Sequence, residues 1–261
     1  QGKLADKLAS VETPGAYIGH HVSLVNFTRF NLPMPIYINM VRDPVERVIS
    51  WYYYVRQPIH PVRKHRRWPN DFNYKTMPDP DYYKRDFETC VLEREKECTW
   101  TIGDRGFRND QRRQTLFFCA HGDNRCRAFN SVYFLSLRAF NSVYAAQKAK
   151  QNVERYYAVV GVQEFMDITL KVLEKYIPLF FTNVIEVYNV SKIRDGLNQQ
   201  NKNHYKVPVS EPVKEIVRRN FTSEIDFYYF CRQRLFKQYY AILSDEERET
   251  LMRPGNATGT T

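Results

Sequence analysis

Pro35-Ile-Tyr-Ile-Asn-Met-Val-Arg-Asp-Pro-Val-Glu-Arg-Val-Ile-Ser-Trp-Tyr-Tyr-Tyr54 is the stretch on which the reading of this chain turns. Its first part, Ile36 to Val41, is a β-branched and aromatic run apolar enough for a buried parallel strand. The run stops at Arg42-Asp43-Pro44, where Asp43 can cap a helix whose first residue is Pro44, a position at which a missing N–H costs nothing. Glu46 stands where a capping box requires an acid. The helix expected from Pro44 to about Arg56 turns Val45, Val48, Ile49 and Tyr52 toward a core. Arg42 is left at the carboxyl end of a strand, and Ser50 lies two turns into the helix, about 11 Å further along. A long guanidinium and a hydroxyl so placed can converge on one anion, and a strand end feeding a helix is where open α/β sheets bind ligands. The competing reading is a well-capped turn with Arg42 in a surface ion pair.

Outward from this stretch, 261 residues with 43% hydrophobic and 15% aromatic content describe a single globular domain and not a disordered chain. The net charge of +10 favours polyanionic partners without choosing among nucleic acid, anionic membrane and sulfated glycan. Cys90 and Cys98 are close in sequence, as are Cys119 and Cys126, while Cys231 stands alone with no assigned role. Two short loops read as local disulfides of an oxidising compartment, each worth about 2–3 kcal/mol. A zinc site competes, although neither pair has the tight spacing of zinc ligands. Four sequons, at Asn26, Asn189, Asn220 and Asn256, agree with a secretory route. No apolar run reaches the roughly 18 residues of a membrane span.

Further along, Gln57 to Arg67 reads as a proline-broken basic loop, and Lys84 to Arg94 as a short helix. Tyr156–Val162 is a second buried strand, Gln163–Tyr176 a helix stopped by Pro178, and Val184–Val190 a third strand. Strand–helix–strand–helix–strand is an α/β pattern with a central parallel sheet flanked by helices. Ser210 caps a helix carrying Pro212 just inside, and Thr222 to Leu243 forms a long helix whose aromatic stripe is core. Residues 1–15 are expected to be flexible, 16–245 to form the domain, and 246–261 to be a disordered tail. Arg127-Ala-Phe-Asn-Ser-Val-Tyr133 recurs verbatim as Arg138–Tyr144, which either extends a helix by three turns or reflects an error in the sequence. His121, between the second pair of cysteines, reads as structural.

The Arg42-to-Ser50 segment resembles the 3′-phosphate-binding segment of Golgi carbohydrate sulfotransferases, and most closely that of the heparan sulfate and uronyl 2-O-sulfotransferases, including the insect Pipe type. The resemblance covers roughly residues 15–245. It implies a P-loop-like sulfotransferase fold in which Arg42 and Ser50 hold the 3′-phosphate of 3′-phosphoadenosine 5′-phosphosulfate, with no metal. His21-Val22-Ser23 matches the family segment carrying the catalytic base, so His21 aligns with that base. His20 occupies a glycine's place, and a second family histidine falls on Gly19, which leaves His20 as a substitute helper. Lys202, with Lys206, supplies the charge of the 198–208 loop, whose counterpart closes over the cofactor. Arg63, Lys64, Arg66 and Arg67 correspond to basic residues that face the acceptor.

The family's loop around the 5′-phosphosulfate, with its lysine, precedes the histidine segment and has no counterpart here. Gln1-Gly-Lys3 begins without a Met and in mid-pattern. The expectation is a fragment whose amino-terminal strand, phosphosulfate loop and signal anchor lie upstream, so that the 261 residues alone are inactive and marginally stable. The whole protein is expected to be a type II Golgi membrane protein acting in the lumen on an anionic glycan, assembled as a homotrimer. The alternative is a glycan-binding protein that kept the fold and lost catalysis. Sequons and paired cysteines set nucleic-acid binding aside.

Overall fold

The computed structural model describes residues 2–18, 22–67, 77–100, 111–119, 123, 126, 140–190, 195–196, 203 and 205–252. In chain order the regular elements are helix α1 (Gly2–Ala9), strand β1 (Tyr37–Val41), α2 (Pro44–Val55), α3 (Ile59–Arg67), α4 (Pro80–Lys84), α5 (Phe87–Leu92), α6 (Gln114–Cys119) and α7 (Val143–Tyr156). Strand β2 (Tyr157–Val162), α8 (Met166–Tyr176), α9 (Pro178–Phe181), α10 (Val184–Asn189), α11 (Glu211–Asn220), α12 (Thr222–Ile242) and α13 (Asp245–Met252) follow.

β1 and β2 pair in parallel, from Tyr37 opposite Tyr157 to Val41 opposite Val162. β2 is covered on both faces: Val159, Val160 and Val162 pack with Ala149 and Val153 of α7, Val172 of α8, and Phe227 and Leu235 of α12. Gly161 is required by close approach, since a Cβ there would come within 2.3 Å of the Thr169 methyl and 2.6 Å of the Met40 sulfur. The Thr169 hydroxyl accepts from Val162 N at 3.0 Å, which locks α8 onto the strand. A second core lies under α2, whose Val45, Val48, Ile49, Tyr52 and Tyr53 meet Phe87, the Cys90–Cys98 disulfide, Trp100, and Val213 and Val217 of α11.

The expected strand–helix unit at 37–55 is present, although its strand is open to solvent at Ile38 and Met40 and not buried as expected. The 157–162 strand, the helix before Pro178 and the long helix from Thr222 are present too. Several further expectations are corrected. The run 184–190, read as a third strand, is α10: Val184, Ile185 and Tyr188 share a helical face against the core, while Val187 and Val190 are exposed. A short apolar run fits either state, and here packing at helical spacing decides. Residues 57–67, read as an irregular loop, contain α3, because Pro61 falls in the first turn, where no intrahelical donor is needed. The helix expected over 84–94 is split into α4 and α5, with Arg85 extended between them. Asp79 and Asp86 each cap their own helix, Asp86 accepting from Thr89 N at 2.8 Å. Part of the expected tail is α13, opened by a capping box in which Ser244 N donates to Glu247 Oε2 (2.8 Å) and Glu247 N to Ser244 Oγ (3.3 Å). The leading residues form α1, whose buried Ala5 packs on Val25 and Phe27. The first copy of the repeated heptapeptide, His121 and residues 253–261 lie outside the described residues.

Cys119 pairs with Cys126 as well as Cys90 with Cys98, each with Cα atoms 5.9 Å apart, and Cys231 is a buried free thiol. Zinc is thereby excluded at these two pairs, whose thiolates are consumed.

Candidate functional site

The site begins where β1 runs out. Asp43 caps α2 as its sequence position implies, its carboxylate accepting from Val45 N and Glu46 N at 2.9 Å each, a contribution of about 1 kcal/mol. The capping box does not close, because the Asp43 N–H is taken by Glu164 Oε1 at 3.0 Å, from the end of β2. Glu164 thus ties the two strand ends together, and its other oxygen accepts from the Tyr228 hydroxyl of α12 at 3.2 Å.

The Arg42 backbone is held as though by a third strand: its N–H donates to Gln114 Oε1, and its carbonyl accepts from Gln114 Nε2, both at 3.1 Å. Its guanidinium is partly open to solvent, with Nε 3.9 Å from Glu164 Oε1. Arg42 therefore has the loose ion pair of the competing reading and also an accessible fork.

Ser50 lies on the α2 stripe shared by Glu46 and Gln57, and the chain after residue 200 comes back across this stripe. Asn203 Nδ2 donates to the Ser50 carbonyl (3.0 Å) and Oγ (3.3 Å), while Gln57 Nε2 donates to Asn203 Oδ1 at 2.8 Å. One turn nearer the helix start, Lys206 reaches Glu46 at 2.8 Å and Lys214 of α11 reaches it at 3.1 Å. Burial works against ionisation of Glu46, but these two ammonium groups hold its carboxyl below the usual range. Among the described residues Arg42 and Ser50 are held by separate partners, with no hydrogen bond between them. Ser50 accepts from Asn203 and keeps its own hydrogen for an acceptor.

Between β1 and α6 opens a cavity of 190 Å³, lined among the described residues by Val22, Asn39, Met40, Arg47, Gln114, Phe117 and Phe118. Val22 follows His21 in the chain, and this segment is pinned by Leu24 N donating to Phe117 O at 2.8 Å. The wall therefore joins the carboxyl half of β1, α2 and the continuation of the histidine segment. Behind it, buried Glu224 of α12 accepts from the Thr115 hydroxyl at 2.6 Å and from Thr115 N at 3.2 Å. Burial pushes its carboxyl up to about 7, with the Thr115 hydroxyl and the Arg47 charge opposing.

His20, His21 and Lys202 lie outside the described residues. Arg63, Arg66 and Arg67 stand exposed on α3 at i, i+3 and i+4 spacing, a basic helical face in place of the expected loop. Lys64 belongs to the same helix. Asn189 is exposed, whereas Asn26 is half-buried with Oδ1 bonded to Thr28, and Asn220 donates to Ile216 O at 2.9 Å; Asn256 lies outside the described residues. Glu95 and Glu97, near the Cys90 sulfur, are paired with Arg85 and Arg56, and Cys90 is in a disulfide, so this group offers no free metal ligand set. A larger groove of 530 Å³, with Lys150, Asp226, Tyr229 and Arg232 in its wall, contains none of the expected site residues.

Glu164, Gln114, Asn203, Arg47 and Glu224 were not singled out from sequence. Only Glu224 carried a signal, since it falls on the stripe of Phe227, Tyr228, Cys231 and Leu235, where an acid is out of place.

Known proteins resemble the chain over most of its length. It is 41% identical over 243 residues to the uronyl 2-sulfotransferase homolog pip of Drosophila melanogaster, matching 93% of this chain and 44% of that protein. The chain belongs to the 2-O-sulfotransferase family. Human uronyl 2-sulfotransferase is 26% identical over 258 residues, covering 96% of this chain and 55% of that protein. Human heparan sulfate 2-O-sulfotransferase 1 is 27% identical over 226 residues, covering 84% and 52%. No family profile matches the sequence. The chain spans about half the length of the curated relatives it matches. No helix among its described residues is long and apolar enough to cross a membrane.

Proposed function

We propose that the full-length protein is a glycan 2-O-sulfotransferase that moves a sulfuryl group from 3′-phosphoadenosine 5′-phosphosulfate to a hydroxyl of a uronic acid or related sugar. The observation that carries this reading is the 41% identity to a uronyl 2-sulfotransferase homolog, on a chain whose Arg42 and Ser50 flank a capped strand-to-helix turn. In this reading the Arg42 fork and the Ser50 hydroxyl bind the 3′-phosphate, and Lys202 adds charge from the returning loop. His21, with His20 beside it, takes the proton of the acceptor hydroxyl. The acceptor oxygen forms a new S–O bond as the bond from sulfur to the bridging phosphate oxygen breaks. The nucleotide bisphosphate leaves with that electron pair, and no metal takes part. Sulfuryl transfer of this in-line kind asks the protein chiefly to position groups and screen charge. The exposed face of α3 carrying Arg63, Arg66 and Arg67 meets the anionic glycan, and Lys64 adds its charge from the same helix. Golgi lumenal residence, an anchor and trimeric assembly belong to the same proposal.

Labelled-sulfate transfer by the full-length protein to a panel of desulfated glycans tests it, with location of the labelled hydroxyl. His21→Ala is expected to lower the rate about 10²-fold or more with donor affinity nearly intact. Weakened donor binding at unchanged rate would make His21 a binding residue instead. A second reading, an inactive glycan-binding protein, is favoured by one feature: Lys206 is neutralised by Glu46 in place of standing ready for a phosphate. Nucleotide binding without transfer to any glycan would select it.

A further inference from the structure

Arg47 is the cation in the described lining of the 190 Å³ cavity. It carries five N–H donors in a planar fork. Among the described residues it makes one hydrogen bond, from Nη1 to Gln111 O at 3.0 Å, and no ion pair within 4 Å. Glu224 lies close enough to feel its charge, yet the carboxylate oxygens are occupied by Thr115. Burial is what chiefly works against the charged state of Arg47; the Glu224 carboxylate supports that charge, and the Arg42 guanidinium opposes it less strongly. A guanidinium taken largely out of water, with no ion pair within 4 Å among the described residues, is stabilised by an anion from outside. In the rest of the described wall, Gln114 bonds the Arg42 backbone through its amide and Asn39 accepts from Met40 N at 2.8 Å. Each amide nitrogen has a second hydrogen to offer, while Phe117 and Phe118 make the other side apolar.

We propose that Arg47 binds an oxyanion in this cavity, presenting its fork to a tetrahedral sulfuryl oxygen or to the acceptor's carboxylate. The reaction half of this inference rests on the sulfotransferase reading; the binding half does not. Planar guanidinium pairs with sulfate and carboxylate alike through two parallel N–H···O bonds.

Two measurements on the full-length protein test the assignment. In the first, thermal unfolding is followed during titration with sodium sulfate, using sodium chloride at matched ionic strength. The wild-type midpoint is expected to rise with sulfate, and Arg47→Gln to lose that rise. Arg29→Gln, which removes an exposed charge elsewhere, is expected to keep it. If Arg47→Gln does not fold, Arg47→Lys takes its place, since it keeps the charge and loses the fork; the sulfate response is then expected to weaken. In the second, transfer is measured with a carboxylated glycan and with its carboxyl-reduced form. A loss of about 10²-fold in kcat/KM for Arg47→Gln on both acceptors assigns the fork to the sulfuryl group. The same loss confined to the carboxylated acceptor assigns it to the uronate. Sulfate responses equal to wild type, with transfer retained within about threefold, would overturn the proposal. Absence of transfer by the wild type would sink the sulfotransferase reading and leave the sulfate titration to decide Arg47 by itself.

Discussion

β1 and β2 are neighbours in one ladder and could hardly be more differently employed. β2 is walled in, with Val159 and Val162 at 0% exposure, while on β1 Ile38 and Met40 remain 44% and 40% exposed. β2 pays its way through apolar contact with three helices, α7, α8 and α12. β1 contributes little burial beyond Val41 and instead delivers Arg42, Asp43 and the start of α2 to one place. The polar groups there are satisfied by single long-range partners, Gln114 and Glu164, and not by a continuous ladder. A scaffold strand is thus paired with a presenting strand, and the proposed chemistry lies with the less buried of the two.

This contrast can be broken at several points. The largest expected effect is at the presenting strand's end: Arg42→Ala should weaken nucleotide affinity by about 2–3 kcal/mol for a lost charge-assisted contact, with little change in melting temperature. Calorimetric titration with the 3′,5′-bisphosphate nucleotide checks it, and undiminished affinity would remove Arg42 from the site. Next, Val159→Ala in β2 should cost about 2 kcal/mol in denaturant unfolding, whereas Ile38→Ala in β1 should cost under about 0.5 kcal/mol. Equal costs would show that the open face of β1 is covered in the protein under study.

The last effect is read as a trend with pH and concerns Glu224. Its carboxyl lies near 7 in the folded protein against an ordinary value near 4.5, chiefly because it is buried. Between those values the folded protein holds a proton that the unfolded chain has released, so this group makes stability fall as pH rises across that window. Glu224→Gln keeps an acceptor for Thr115 and removes the titration. Its melting temperature relative to wild type should therefore climb from pH 4.5 to pH 8; parallel curves would show that Glu224 stays ionised throughout.

What sequence alone determined was local. Asp43 and Pro44 specify their helix start through a side chain and a ring within three residues, and the cysteines pair across loops of seven and eight residues. The apolar run at 157–162 could be read because nearly every residue of it is buried, whatever covers it. Where two local states were both acceptable, as at 184–190 or around Pro61, pattern failed because packing made the choice. The site's supporting groups were beyond local reach altogether. Gln114 meets Arg42 across 72 residues, Glu164 meets Asp43 across 121, and Asn203 meets Ser50 across 153. Only the tertiary structure could decide these, because a hydrogen bond depends on where two groups end up in space, and no spacing along the chain encodes that.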